Sequence, residues 1–221
     1  MLSQGAEEER MTINCKGEIL ILSKDRAIYW ASKKMLIISD LHLGKSATFR
    51  QAGIQVPSTI SDNDLQKLSG VLAEFSPEIL LVTGDMFHHK INSDIDSFKS
   101  WRTQYPLLKI ILVKGNHDIL KAADYAGLDI EIHPEELLCF PFRFVHDQPE
   151  KADEYYNITG HIHPGITVYG KSRQKLRLPC FYFGAHCAIL PAFSLFTGLS
   201  KIKTEEGDQF YAITPNKVVA V

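Results

Sequence analysis

"LLKIILVKGNHD", residues 107–118, runs apolar as far as Val113 and then stops on Lys114, Gly115, Asn116, His117 and Asp118. The apolar part reads as a strand buried in a sheet. The polar end suits a core badly, because buried polar groups without partners are costly. The same punctuation occurs twice upstream. "KMLIISD" (34–40) stops on Asp40 and "EILLVTGD" (78–85) stops on Asp85. Between those two, Leu65, Leu68, Leu72 and Phe75 recur on one face of a helix over 61–75, with Ser61 and Asp64 at capping-box spacing. A second helix is expected over 95–104, halted before Pro106. "GEILILS" and "RAIYWA" read as a hairpin turning at Lys24-Asp25, and downstream of His117 short strands dominate, from "LDIEIH" to "KVVAV". Strands alternating with helices, followed by a run of strands, predict an α/β fold with two mixed sheets and helices outside.

The bulk numbers narrow the class. The 221 residues suit one domain, expected over 12–221, and the acidic, polar stretch 1–11 reads as flexible and unlike a signal peptide. A net charge of −2 excludes a global basic field but leaves room for a local patch facing nucleic acid. No apolar run approaches the ~20 residues of a membrane span. Cys15, Cys139, Cys180 and Cys187 contain no C-x-x-C pair, so reduced core thiols in a cytoplasmic protein are expected.

Polar residues gather wherever an apolar strand stops: Asp40 and His42, Asp85, Asn116 and His117, His146, His161 and His163. Ligand sites in α/β sheets lie beyond the strands' carboxyl ends. Five of the nine histidines fall in this set, and no cysteine does. Carboxylate, amide and imidazole donors suit Mn²⁺, Fe or Zn²⁺. Without His117, seven donors are too many for one ion. They fit two ions sharing a carboxylate, about 3.5–4 Å apart. Taken singly, each residue has a blander reading. Asp40 and Asp85 would be turn caps, Asn116 a turn residue, and His161 and His163 polar positions on a half-buried strand. Gly115 is expected to allow a tight backbone turn at the site.

"SDLHLG" (39–44), "TGDMFH" (83–88), "KGNHD" (114–118) and "TGHIH" (159–163), in that order, resemble the motifs of the calcineurin-like metallophosphoesterases. "SDLHLGKSATFRQAGIQVP" and "GHIHPGITVYGKSRQKLRLPCF" are similar, within that family, to the bacterial DNA-ligase-associated DNA damage response endonucleases. The resemblance implies the metallo-dependent phosphatase fold, a double β-sandwich flanked by helices in four α/β/β/α layers. It implies two divalent ions, Mn²⁺ favoured. Asp40, His42 and His163 would hold the first, Asp85 would bridge, and Asn116, His146 and His161 would complete the second. His117 would act on the leaving group as acid or charge-stabilising donor, with Asp118 orienting it and His88 near the phosphate. One departure is visible: Val145, where the family usually has glycine, precedes His146. His133 is therefore the substitute candidate. The implied activity is hydrolysis of phosphodiester bonds in DNA, beside an ATP-dependent ligase and a helicase. A phosphatase, a small-nucleotide phosphodiesterase and a non-catalytic binding module are the alternatives.

One stretch bears on substrate. "GKSRQKLRL" places Lys171, Arg173, Lys175 and Arg177 at every second position. An extended chain would point all four to one face, ~6.6 Å apart. Arg173 and Arg177 are the candidates for phosphate contact, against the plainer reading of a solvated hairpin tip. Phe193 and Phe196 read as core aromatics, with base stacking as the alternative.

Overall fold

The computed structural model describes residues 10–45, 60–88, 93–149, 154–169 and 175–221. A seven-stranded sheet runs in chain order: β1 (Arg10–Cys15), β2 (Glu18–Ser23), β3 (Ile28–Trp30), β4 (Met35–Ile38), β5 (Ile79–Thr83), β6 (Lys109–Val113) and β7 (Ile130–His133). The pairs β1 to β4 are antiparallel and β4 to β7 parallel. Parallel strands need long crossovers. Helix α1 (Ile60–Phe75), helix α2 (Ser93–Arg102) and the short helix α3 (Ala122–Gly127) lie in them. Alternation along β4, β5 and β6 then builds two cores. Leu36, Ile38, Leu80, Val82, Ile110 and Leu112 pack with Leu68, Phe98 and Tyr125 of the helices. Ile37, Leu81, Ile111 and Val113 face the other way, into a core shared with Phe142, Phe144, Ile158 and Phe181 of the second sheet. Both faces being covered explains why these strands read as unbroken apolar runs.

The second sheet is ordered β15-β14-β12-β13-β10-β9-β8. Its strands are β8 (Glu136–Cys139), β9 (Phe142–Val145), β10 (Tyr156–Thr159), β12 (Lys175–Phe183), β13 (Cys187–Ile189), β14 (Gln209–Ile213) and β15 (Val218–Ala220). β11 (Gly165–Tyr169) pairs with β12 alone, as a hairpin off the sheet. The double sandwich expected from the sequence is present. Its outer layers differ. The three described helices belong to the first sheet, whereas Ile162, Ile202 and Phe210 cover Tyr182 and Ile189 of the second.

Some boundaries move. Arg10 and Met11 belong to β1, where the sequence reading began the domain at 12, and residues 1–9 lie outside the described residues. The side chain of Ser61, the other half of the expected capping box, lies outside the described residues; Asp64 is buried and accepts from Ser194 Oγ at 2.7 Å. The four cysteines are free thiols. Among the described residues no helix is long and apolar enough to cross a membrane.

Candidate metal centre

The carboxyl ends of β4, β5, β6, β9 and β10 converge on one place, and each delivers a motif. Asp40 and His42 follow β4, Asp85 follows β5, Asn116 and His117 follow β6, His146 follows β9, and His161 and His163 follow β10. Asp40, His42, Asp85, His161 and His163 all adopt positive φ, between 50° and 66°. Left-handed backbone costs an L-residue about 1–2 kcal/mol, and such strain collects where function demands it.

The donors form two sets. Single ligand atoms of Asp40, His42 and His163 lie within 4.8 Å of one another, and the same holds for Asp85, His146 and His161. In the first set, His163 Nε2 is 3.1 Å and His42 Nε2 3.8 Å from Asp40 Oδ1. The other carboxylate oxygen, Oδ2, accepts from Ser39 Oγ at 2.5 Å and from the His161 N–H at 3.1 Å. In the second set, His146 Nε2 is the hub: 3.4 Å from Asp85 Oδ2, 3.2 Å from His161 Nδ1 and 3.2 Å from Asn116 Oδ1. His146 Nδ1 lies 3.0 Å from the Thr83 carbonyl, which can only accept. That contact fixes the tautomer and leaves the Nε2 lone pair for a cation. His146 thus takes the middle-histidine place despite Val145. His133 sits away from it, paired with Glu131 at 2.9 Å.

The donor chemistry fits a pair of hard cations. Both ring nitrogens of His42 are buried without a hydrogen-bond partner, and Asp40 Oδ1 is buried with only the ring nitrogens of His163 and His42 beside it. Orphans of that kind are too costly to keep unless something charged meets them. Burial pushes the His42 pKa down to about 3, helped by Lys45, so the ring is neutral and its nitrogen is free to ligate. Burial opposes ionisation of Asp85, yet its hydrogen bond to His146 holds the pKa at about 2. Burial likewise disfavours charge on His146, but Asp85 and Asp40 raise it to about 9.

The motif glycines serve close approach. A Cβ on Gly84 would fall 2.0 Å from His146 Nδ1, and one on Gly160 1.7 Å from Ser39 Oγ. A Cβ on Gly115 would fall 2.3 Å from Asp85 Oδ1. The tight turn expected at Gly115 is present, closed by Asp118 N–H donating to the Gly115 carbonyl at 3.2 Å; Gly115 is not among the positive-φ glycines, and what it supplies there is space.

His117 stands beside the centre. Its Nε2 is 4.0 Å from Asp85 Oδ2, its side chain is 39% exposed, and its ring lies 4.3 Å from that of His88, centroid to centroid. Asp118 does not orient that ring. Its two oxygens accept from the backbone N–H groups of Met86, Phe87 and Gly115 at 2.9–3.0 Å, so it ties the β5 loop to the β6 loop. The expected role is corrected to a backbone clamp.

Sequence reading missed three groups. Ser39 braces Asp40, the Thr83 carbonyl braces His146, and Lys45 adds positive charge felt by His42. Ser39 precedes Asp40 as the lone polar residue of an apolar strand end, and that was the available signal; the Thr83 brace is a backbone carbonyl, which no residue type announces. A buried polar clamp also secures the Asp40 loop. Phe193 N–H and Ser194 N–H donate to the Ser39 and Asp40 carbonyls. The 192–194 backbone accepts in turn from Arg26 and Lys67. Phe193 is a core aromatic. Arg173 and Lys171 lie outside the described residues, whereas Arg177 is exposed on β12.

Comparison with known proteins settles the family. The sequence model of the calcineurin-like phosphoesterases matches residues 33–194, a span holding every donor above. The chain belongs to the calcineurin-like phosphoesterases. It is thus a metal-dependent hydrolase of phosphoric esters, from a family that uses divalent ions. The crystal structure of Pseudomonas putida nuclease MPE is 30% identical, covers 96% of this chain and 100% of its own, and superposes with a TM-score of 0.80. Yfce, a phosphoesterase from E. coli, is 13% identical over 85% of this phosphoesterase and 97% of its own chain, with a TM-score of 0.44. A protein of unknown function from Aquifex aeolicus is 21% identical over 62% of this chain and 81% of its own, with a TM-score of 0.39. Among curated proteins none matches by sequence.

Proposed function

We propose that this phosphoesterase is a nuclease, a two-ion enzyme that hydrolyses phosphodiester bonds in DNA. The observation that carries the reading is the end-to-end likeness to P. putida nuclease MPE, joined to a donor set of the kind two-ion phosphodiesterases need. Asp40, His42 and His163 would hold one ion, Asn116, His146 and His161 the other, and Asp85 both. When bound, the ions, with Mn²⁺ favoured, supply Lewis-acid charge to the phosphoryl oxygens and make water nucleophilic near neutral pH. The chain does the rest by positioning, the main protein contribution to phosphoryl transfer. His117 reaches in from the open side and gives a proton to the leaving sugar oxygen. His88 lies beside it, with ring centroids 4.3 Å apart and planes tilted by 34°. Asp118 holds the two loops that carry Asp85 and His117. Action beside an ATP-dependent ligase and a helicase in cytoplasmic DNA repair completes the reading; the resemblance of "SDLHLGKSATFRQAGIQVP" supports it.

The test is a Mn²⁺-supplemented panel of aryl phosphomonoester, aryl phosphodiester, cyclic nucleotide, single-stranded DNA and duplex DNA. Cleavage of DNA and of the aryl diester is expected, lost with chelator and restored by Mn²⁺. Turnover of the monoester or cyclic nucleotide without DNA cleavage would make the protein a phosphatase or small-nucleotide phosphodiesterase. Two bound ions with no turnover on any substrate would make it a binding module.

A further inference from the structure

The hairpin of β11 and β12 leaves the second sheet directly after the last metal-site histidine. His163, Pro164 and Gly165 are consecutive, and the 199–204 segment runs alongside, with Ser200 N–H donating to the His163 carbonyl and Gly165 N–H to the Ser200 carbonyl. A groove of about 490 Å³ opens between hairpin and segment, lined among others by Thr167, Tyr169, Arg177, Lys201 and Phe210. That volume lies within the range of sites that enclose a nucleotide-sized group. Ile162, between the two site histidines, packs in the same cluster as Ile202 and Phe210, so the groove floor backs onto the metal loop.

The register explains the chemistry of the lining. Thr167 pairs with Arg177 and Tyr169 with Lys175 in an antiparallel ladder. Opposed residues share a face, so this ribbon shows Thr167, Tyr169, Lys175 and Arg177 on one side and Val168 and Leu176 on the other. Tyr169 is 70% exposed, and the Lys175 ammonium lies 5.7 Å from its ring centroid. Among the described lining residues there is no carboxylate. A chain of net charge −2 has here concentrated cations and an exposed aromatic ring along one strip. Cations that track a backbone and aromatic plates that stack bases are the two parts of a single-strand site. From Gly165 to Tyr169 the strip runs about 13 Å.

We propose that this groove binds a single-stranded stretch of nucleic acid leading out of the metal centre, with a base stacked on Tyr169 and backbone phosphates on Arg177 and Lys201. The proposal rests on the nuclease reading and adds the place and strandedness of the flanking substrate. It is tested with the full chain and a fluorescent oligothymidylate, by anisotropy in chelator so that nothing is cut. Tyr169→Ala should weaken binding about tenfold, within the range for loss of one stacked base, and Tyr169→Phe should restore it. Arg177→Ala with Lys201→Ala should reduce the slope of log K against log salt by about 1.4, two contacts at ~0.7 each. These side chains are exposed, and thermal melts confirm that the variants fold. Oligothymidylate binding by the parent chain, with affinity and slope untouched in the variants, would overturn the groove and leave the nuclease reading standing. Losses on duplex DNA alone would overturn the single-strand assignment. No oligothymidylate binding by the parent chain would overturn the groove, and cleavage of DNA in the Mn²⁺-supplemented panel then decides the nuclease reading on its own.

Discussion

The two donor sets differ in how they meet water. Asp40 and His42 are 0% and 5% exposed, and His163 closes over them. Asp85 and His146 are just as deep, at 2% and 6%, but Asn116 and His161 reach solvent. The first set therefore holds charge where the dielectric is low and attraction strong. The second keeps an open side where substrate can replace water, as catalytic metal sites require. The same contrast appears in the unpaired atoms: both ring nitrogens of His42 belong to the first set. On the two-ion reading proposed above, one set would retain an ion and the other would present one. His117 stands against both, its Nε2 4.0 Å from Asp85 Oδ2 and its ring 5.7 Å, centroid to centroid, from that of His42.

Asp85 is the strongest way to break that contrast, because it is proposed to serve both sets. Asp85→Asn should weaken both sites by more than the ~100-fold expected for loss of a supporting partner, and activity should fall to background. Asp40→Asn should empty the retaining site first. Metal analysis after dialysis checks this. Equal loss of one and the same ion in both variants would remove the bridge.

His117 tests the centre by chemistry rather than by metal content. A sugar alkoxide is strongly basic and needs a proton to leave, whereas a nitrophenolate departs without one. His117→Ala should cost about 10²–10⁴-fold on DNA, the usual reach of general acid catalysis, and far less on an aryl diester, with both ions retained. Equal losses on both substrates would make His117 a stabiliser of the phosphoryl oxygens instead. Loss of metal would make it a ligand.

How much of this was legible follows from chemistry and from length scale. Asp40, Asp85, Asn116 and His161 could be read because each interrupts an apolar run, and an interrupted core needs a reason. The strands β4, β5 and β6 were legible for the same cause: two covered faces leave no polar positions between. β1 was missed because its burial is patchy and its sequence, "RMTINC", is half polar. The short helix α3 has six residues, too few for a periodic signal. Asp118 was misjudged because adjacency in sequence implies contact with His117, whereas the backbone turns its carboxylate toward Met86 and Phe87. Arg177 was read as a phosphate contact, but the groove was not, since Lys201 and Arg177 come to line it only through tertiary packing.

The glycines allow the two sets to be separated with the smallest change, one methyl group each. A Cβ on Gly84 would overlap His146 and displace the hub of the presenting set, and positive φ at Gly84 adds strain. A Cβ on Gly160 would meet Ser39 Oγ at 1.7 Å and Asp40 Oδ2 at 2.7 Å, in the retaining set. Gly84→Ala should therefore weaken one ion and Gly160→Ala the other, each by about 10–100-fold, the scale for disturbed outer partners. Calorimetric titration with Mn²⁺ would show one normal and one weakened site in each variant. The identity of that site is read by combining each change with Asp40→Asn. Gly160→Ala should add little to a site already weakened, because coupled changes are not additive, while Gly84→Ala should add its full effect. Ser39→Ala supplies an internal control for Gly160. Removing Oγ deletes the closest clash but leaves Asp40 Oδ2 at 2.7 Å, so Ser39→Ala with Gly160→Ala should recover part of the lost affinity. Ser39→Ala alone should lose some, since Asp40 then lacks its 2.5 Å donor. If both glycine variants weakened the same ion, the donors would form one undivided cluster and the contrast between retaining and presenting sites would go with it.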